Sequence, residues 1–222
     1  MLGDQEGGHM LNRPFRPARG VTLIELMVGL TILAFLLVSG APSLADWIRN
    51  NQIRSAAESI MTGLHQARAE AVKRNTPVRF QLTSTLGSDC TLSASGQNWV
   101  VNLNSGNSPA GKCGVNTSDA ADPYLLQKSV AANSAGVSIA LSSSSAGAAP
   151  VVTFNGLGQQ AGTIATYTID IQNTNGDCRT STGTGSYRCL RVVVTPAGQA
   201  RLCDPSITSG SGNKTQAMAC PS

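Results

Sequence analysis

The feature that most constrains this chain is an apolar run at 21–41, VTLIELMVGLTILAFLLVSGA, whose only charge is Glu25. A helix needs about 20 such residues to cross the hydrocarbon core of a bilayer. The residues before the run, 7–20, contain three arginines and no acid, which places the N-terminus in the cytoplasm by the positive-inside rule. The sequence therefore predicts a single membrane-spanning helix that leads into an exported domain.

The start of this run predicts proteolytic processing before the apolar residues, not after them. An ordinary signal peptide has a shorter apolar region, which is followed by a small-residue cleavage site. Here the octapeptide at 19–26, RGVTLIEL, resembles the RGFTLIEL signature of type IV prepilins and pseudopilins. The resemblance implies that prepilin peptidase removes a leader, 1–20, by cutting after Gly20, and that Val21 becomes the N-methylated first residue. Most family members have Phe at this position, and Met10 is an alternative start to the first methionine.

Glu25 is the candidate assembly residue of this segment. A carboxylate in hydrocarbon is costly and is therefore normally paired. The family resemblance implies that Glu25 neutralises the N-terminal amine of the neighbouring subunit and so fixes the axial register of a filament. The alternative is a tolerated acid near the interface of an ordinary anchor, and the residues around Glu25 favour the pilin interpretation.

The helix is predicted to continue as an amphipathic half at 42–75 and to end before Pro77, because proline disfavours helical geometry at the residue before it. Apolar residues recur in this half at helical spacings: Trp47, Ile53, Ile60, Leu64, Ala67 and Ala71. Such a stripe is typical of a helix that buries one face. It is predicted to pack on the sheet of the head, in preference to forming a separate binding face.

The remainder, 76–222, is predicted to be a β-rich globular head. Alternating or β-branched runs bounded by Gly, Ser, Asn or Pro predict strands at 77–83, 99–104, 136–142, 150–159, 165–172 and 189–195. Pro196 and Gly198 predict the turn of a hairpin after the last strand. The fold class is then α+β, the type IV pilin fold, in which a long helix, half transmembrane and half amphipathic, packs on an antiparallel head. Segments 142–149 and 180–186 are predicted to be loops.

All the cysteines lie in the head: Cys90, Cys113, Cys178, Cys189, Cys203 and Cys220. None belongs to a CxxC pair of the kind that binds zinc or carries out redox chemistry. Disulfides are therefore predicted, which places the head in an oxidising compartment such as the periplasm. Pairing of neighbours is the simplest of the possible connectivities, and the others stay open. The sequence predicts no cofactor and no metal site.

Three segments carry a closer resemblance: QARAEAVKRNTPV at 66–78, FNGLGQ at 154–159 and TPAGQARLC at 195–203. They resemble the FimT/GspH-like branch of minor pilins and pseudopilins. This implies a FimT/FimU-type subunit that acts in type IV pilus assembly, or alternatively a GspH-like minor pseudopilin of a type II secretion system. The implied partners are other major and minor pilins or pseudopilins, prepilin peptidase and the bacterial inner membrane. The implied location is a single pass of that membrane with the head in the periplasm, and afterwards the pilus or pseudopilus.

The chain does not resemble an enzyme. It has two histidines and contains no GxSxG, HExxH or phosphate-binding glycine loop before a helix, so no arrangement for nucleophilic or metal-assisted catalysis is predicted. Its abundant Ser and Thr residues suit the polar loops of an exported β domain. The remaining choice lies between a structural filament subunit and a binding module.

The binding hypothesis rests on the basic C-terminal segment, 178–222, where one acid accompanies five cations: Arg179, Arg188, Arg191, Arg201 and Lys214. Such residues could neutralise the phosphates of double-stranded DNA without reading its sequence. DNA-binding FimT types carry a GRxK-like motif, and the matching position here is 198–201, GQAR. Gln199 replaces the first cation, which leaves Arg201 alone. Ordinary solvated charges are the favoured alternative.

Overall fold

The computed structural model describes residues 20–129, 136–146, 150–207 and 217–221, without the side chains of 39–42. Its elements in chain order are α1 (Leu23–Arg74), β1 (Val78–Thr83), β2 (Asn98–Leu103), β3 (Leu125–Lys128), β4 (Val137–Ser143), β5 (Val151–Phe154), β6 (Tyr167–Asn173), β7 (Leu190–Val194) and β8 (Ala200–Cys203). The chain divides into two compact units, the first ending at Pro42 and the second spanning Ser43–Ser222. The two units are described separately.

The first unit contains the N-terminal part of α1. Its apolar side chains are exposed from Val21 to Val38. Among the described residues, no single helix combines the length and the apolarity needed to cross a membrane. Leu23–Val38 and Ser43–Arg74 meet that test only when taken together, on length and composition. The spanning segment at 21–41 therefore stays a prediction.

The second unit begins with the rest of α1, which buries one face: Ile53, Ala56, Ala57, Ile60, Leu64, Ala67 and Ala71. Gly63 lies beside this stripe, where an added Cβ would lie 2.7 Å from the ring of Phe80 and 2.8 Å from that of Trp99. A glycine at this position lets both aromatic rings pack directly against the helix. The predicted core role of the stripe is confirmed for all its members except Trp47.

Trp47 is 64% exposed and does not belong to the buried stripe. The reason is its helical phase. Six residues separate it from Ile53, and at 3.6 residues per turn this places the two side chains about 120° apart around the helix axis. The prediction that Trp47 packs in the core is therefore wrong.

The helix ends at Arg74 with a capping motif. The end of the helix was predicted from the sequence, but the motif was not. Thr76 N donates to Ala71 O and Asn75 N donates to Val72 O, both at 3.3 Å. Asn75 has a φ of 49°. These are the two hydrogen bonds and the left-handed residue of a Schellman motif, with Asn in the place usually taken by Gly. The motif turns the chain into Pro77 and β1.

Within the described residues, the head contains two four-stranded sheets, with the strand orders β3-β2-β1-β5 (sheet A) and β4-β6-β7-β8 (sheet B), and these strands pair antiparallel. One hydrophobic core joins α1 to both sheets. A connection of sheet A also covers the edge of β4, since Leu141 N donates to Ala94 O at 2.7 Å and Gln97 Nε2 donates to Val137 O at 2.6 Å. Covering an edge in this way protects it from pairing with another chain. The predicted fold class is confirmed.

Two strand predictions need correction. β3 was not predicted, because it is four residues long and has only one fully buried side chain, Leu125, so it shows no alternation. The strand predicted at 150–159 ends at Phe154. Asn155 Oδ1 accepts the backbone N–H groups of Leu157 and Gln159, each at 3.0 Å, and this side-chain turn leads the chain away from the sheet.

The loop predictions gave mixed results. The segment predicted as a loop at 142–149 begins inside β4, and 147–149 lie outside the described residues. The segment at 180–186 is an exposed turn, in which Thr180 N donates to Thr184 O at 2.7 Å.

Three disulfides close loops of the head. They join Cys90 to Cys113, Cys178 to Cys189 and Cys203 to Cys220, which is the pairing of neighbours. In the chain-entropy account, closing loops of this size stabilises the folded state by roughly 3 kcal/mol each. The second disulfide closes the loop that contains 180–186, and the third ties β8 to the end of the chain.

Candidate functional sites

The predicted cleavage site lies just outside the helix. Gly20 and Val21 are not helical, and α1 begins at Leu23. Thr22 caps the helix, since its Oγ1 accepts the N–H of Glu25 at 3.3 Å and lies 3.5 Å from Glu25 Oε2. Such N-caps satisfy the backbone donors that the first helical turn leaves unpaired. The arrangement leaves the Gly20–Val21 peptide bond in non-helical backbone.

The carboxylate of Glu25 stands in the first turn of α1 among exposed apolar side chains. The positive end of the helix dipole favours an acid at this position. Residues 20–48 contain no Lys, Arg or His, so this segment holds no side-chain cation that could pair with Glu25. A cationic partner for Glu25 therefore has to come from outside residues 20–48.

Two of the basic C-terminal residues, Arg188 and Arg191, are paired with carboxylates. Arg191 Nε lies 2.6 Å from Asp170 Oδ1, and Arg188 Nε lies 2.7 Å from Asp204 Oδ2. Arg201 stands opposite Val193 in the β7–β8 pair, so it shares a face with Arg191, away from the core. Arg188 lies by α1 instead, where its N–H donates to Asn50 Oδ1 at 2.8 Å.

Asp204 is almost fully buried, and its environment favours the ionised form. Burial alone would raise its pKa, but hydrogen bonds from Ser206 and from the Arg188 guanidinium outweigh this effect and hold the pKa below its usual value. A buried carboxylate with such partners is a structural ion pair. Arg188 is therefore committed to the fold.

Arg179 and Arg201 remain as the unneutralised cations of this segment. Both are exposed, and within the part of the chain that the structure describes neither has an ion-pair partner. Arg179 lies in the exposed turn after Cys178, while Arg201 lies in β8. Lys214, the fifth predicted cation, lies outside the described residues. The structure thus pairs two of the five cations with carboxylates and leaves two others, Arg179 and Arg201, without such a partner among the described residues.

The three segments that carry the FimT/GspH-like resemblance meet in one junction. Arg68 Nε on the helix donates to Gly158 O at 2.9 Å. Gln160 reaches the hairpin between β7 and β8, where its Nε2 donates to Thr195 O at 3.0 Å. Gly198 in that hairpin packs so closely that an added Cβ would lie 2.0 Å from Gly158 O. Sequence reasoning identified the segments but not their contact.

Comparison with known families agrees with this geometry. Residues 56–198 match the family of type II transport protein GspH, and residues 15–41 match the prokaryotic N-terminal methylation motif. The chain belongs to the GspH family. It is a minor pilin or pseudopilin, of the type IV pilus or type II secretion kind. The GspH match includes the junction and ends before Arg201 and the Cys203–Cys220 disulfide, whereas the methylation motif includes Gly20 and Glu25.

Solved structures similar to this GspH-family chain include the type IV minor pilin FimU of Pseudomonas aeruginosa strain PAO1 in two crystal forms. The first is 20% identical with a TM-score of 0.44, over 72% of this chain and 93% of that one. The second is 18% identical with a TM-score of 0.40, over 69% and 93%. No curated protein matches the chain. Within the described residues, no group of three His, Cys, Asp or Glu side chains could hold a metal ion.

Proposed function

We propose that this chain is a minor subunit of a type IV pilus. As a precursor it is held in the bacterial inner membrane by residues 21–41, with its head in the periplasm. It then packs into the filament through the same segment. The observation that carries the proposal is Glu25, an acid in the first turn of an apolar helix whose own segment, 20–48, offers no side-chain cation.

Processing supplies the missing cation. Prepilin peptidase hydrolyses the peptide bond between Gly20 and Val21, and the amine released on Val21 is then methylated while keeping its positive charge. In an apolar environment, an amine of one subunit and the Glu25 carboxylate of its neighbour attract each other far more strongly than in water. An unpaired carboxylate there is costly. The pair therefore favours the axial position of each new subunit at which the Glu25 carboxylate and the amine neutralise each other.

A GspH-like pseudopilin of type II secretion is the second candidate, and the family match at 56–198 favours it specifically. Deletion of the gene, followed by separate assays of surface pili and of protein secretion, tests the choice. We expect pili to be lost and secretion to stay normal. Loss of secretion with normal pili would assign the chain to the pseudopilus instead.

DNA binding would be an added role of the head, and Arg179 and Arg201 are its candidates because Arg188 and Arg191 are paired with carboxylates. Contacts to phosphate are independent of sequence and weaken steeply as salt rises. We expect the head, residues 43–222, to retard double-stranded DNA weakly at low salt. Arg201→Gln should reduce this for all sequences alike and lower the salt slope by about 1.

Lys73→Gln is the matched control for the DNA experiment. Lys73 is an exposed cation on the helix, 3.5 Å from Glu70, and it is far along the chain from the basic segment. Its replacement changes the net charge by the same amount as Arg201→Gln. Equal loss of binding in both variants would show a general charge effect, and no retardation at low salt would exclude the DNA role.

A further inference from the structure

The base of the head carries an apolar surface that the fold does not use. Leu44, Trp47 and Ile48 are 57%, 64% and 45% exposed, and their spacing of three and four residues puts them on one face of α1. All three belong to the second unit, Ser43–Ser222. The other large exposed apolar side chains in the described part of this unit are Val72, Val115, Leu157 and Ile164.

A cavity of about 430 Å³ adjoins this face between α1 and sheet B. Trp47, Leu202 and Met218 supply apolar walls, while Arg54 and Arg188 stand in its lining. Each arginine binds its carboxylate through Nε alone, Arg54 to Glu58 at 2.8 Å and Arg188 to Asp204 at 2.7 Å. Arg188 stays committed to the buried Asp204, whereas Arg54 is 71% exposed and its pair with Glu58 lies at the surface. The terminal amino groups of Arg54 are therefore available for anionic oxygens.

The position of this face along the chain indicates what covers it. Trp47 follows the last residue of the apolar run, Ala41, by six residues, which is about 9 Å in a helix. The headgroup layer on each side of a bilayer is about 5–8 Å thick. Leu44, Trp47 and Ile48 therefore lie close in sequence to the boundary between the membrane and water. Trp is enriched at this boundary because its ring is apolar and its N–H is polar.

We propose that Leu44, Trp47 and Ile48, together with the adjoining cavity, form an anchor that seats the base of the head on the phospholipid headgroup layer. The apolar side chains enter the boundary between headgroups and acyl chains. The guanidinium group of Arg54 meets lipid phosphates. The inference rests on the proposed membrane-held precursor, and it adds a second attachment that has to be released when the subunit enters the filament.

The test uses the full-length chain in phospholipid vesicles whose lipids are brominated next to the headgroup, because bromine quenches a nearby Trp. The two tryptophans are Trp47 and Trp99, and Trp99 is only 4% exposed. We expect bromolipid to quench a component of the emission that is absent from Trp47→Phe. Flotation of the vesicles, measured in the same samples, reports whether the chain is in the membrane at all.

A matched control places a tryptophan elsewhere on the head. Leu157 is 77% exposed, and its neighbour Gly158 packs against Arg68 and Val72 of the helix, about 30–40 Å along α1 from Trp47. In the Trp47→Phe background, bromolipid should not quench the emission of the tryptophan introduced by Leu157→Trp, whereas a soluble quencher should. Quenching of both sites alike would overturn a specific anchor.

The remaining outcomes separate the anchor from the proposed function. If the chain floats with the vesicles and bromolipid does not quench Trp47, the anchor is wrong and membrane insertion stands. If Trp47 is shielded from both lipid and soluble quenchers, protein covers it, and the lipid assignment is overturned. If the wild-type chain fails to float, the membrane-held precursor itself is refuted, and the anchor fails with it.

Discussion

Glu25→Ala is expected to leave the chain processed and inserted in the membrane, while its entry into the filament falls by about two to four orders of magnitude. The physical reason is that the substitution leaves the N-terminal amine of the neighbouring subunit without its carboxylate. Breaking an ion pair in an apolar environment by removing one member costs roughly 3–5 kcal/mol, because the remaining charge is buried without compensation. The measurement is the ratio of this chain to total pilin in sheared filaments, with the precursor and mature forms resolved by mass in the membrane fraction.

Two matched variants locate the effect. Glu58→Ala removes an exposed acid from the same helix, where it pairs only with Arg54 at the surface, and incorporation should be normal. Gly20→Val should block the peptidase instead, so that a longer precursor accumulates. Normal filament entry of Glu25→Ala would refute the role assigned to the carboxylate. A processing defect in that variant would move its role from assembly to maturation.

Sequence periodicity sufficed for the elements whose burial is regular. The stripe from Ile53 to Ala71 follows the helical repeat, and the burial of β4 and β6 alternates clearly. β1 was predicted from its alternating residue types, VRFQLT, although its burial does not alternate. Periodicity failed where the signal is short or comes from a side-chain turn. β3 has no alternation over its four residues. The strand predicted at 150–159 continues past Phe154, but Asn155 makes the following residues a turn.

Helical phase is the property that separates Trp47 from the buried stripe. An apolar residue on an amphipathic helix, such as Trp47, can lie either in the core or at the surface. Counting apolar residues alone places it in the core, whereas its angle relative to Ile53 places it outside. A residue that is apolar, exposed and close to the predicted span is then evidence for a surface that requires a partner.

The candidate DNA-binding residues show what charge counting omits. Arg191 and Asp170 are 21 positions apart, and they meet because β6 and β7 are neighbours. Arg188 and Asp204 meet through the packing around the third disulfide and α1. Long-range pairing of this kind depends on strand order, which the sequence did not reveal. The same reasoning explains why three family segments could be identified while their common junction could not.

Gly198→Ala is expected to destabilise the head by roughly 2–5 kcal/mol. Two costs combine at this position. Gly198 has a φ of 77°, a conformation that side-chain-bearing residues adopt at a cost of about 1–2 kcal/mol. The new Cβ would also lie 2.0 Å from Gly158 O, a backbone atom that Arg68 holds in place. Relieving such overpacking typically costs a further 1–3 kcal/mol.

Gly162→Ala isolates the first of these costs. Gly162 has a similar φ of 79°, but an added Cβ would meet no atom within 4 Å. Urea unfolding of residues 43–222 with the disulfides intact should therefore show a loss of about 1–2 kcal/mol for Gly162→Ala and a clearly larger loss for Gly198→Ala. The difference measures the tightness of the junction. Equal losses would mean that the junction can open without cost, and the shared segments would then need an explanation other than packing.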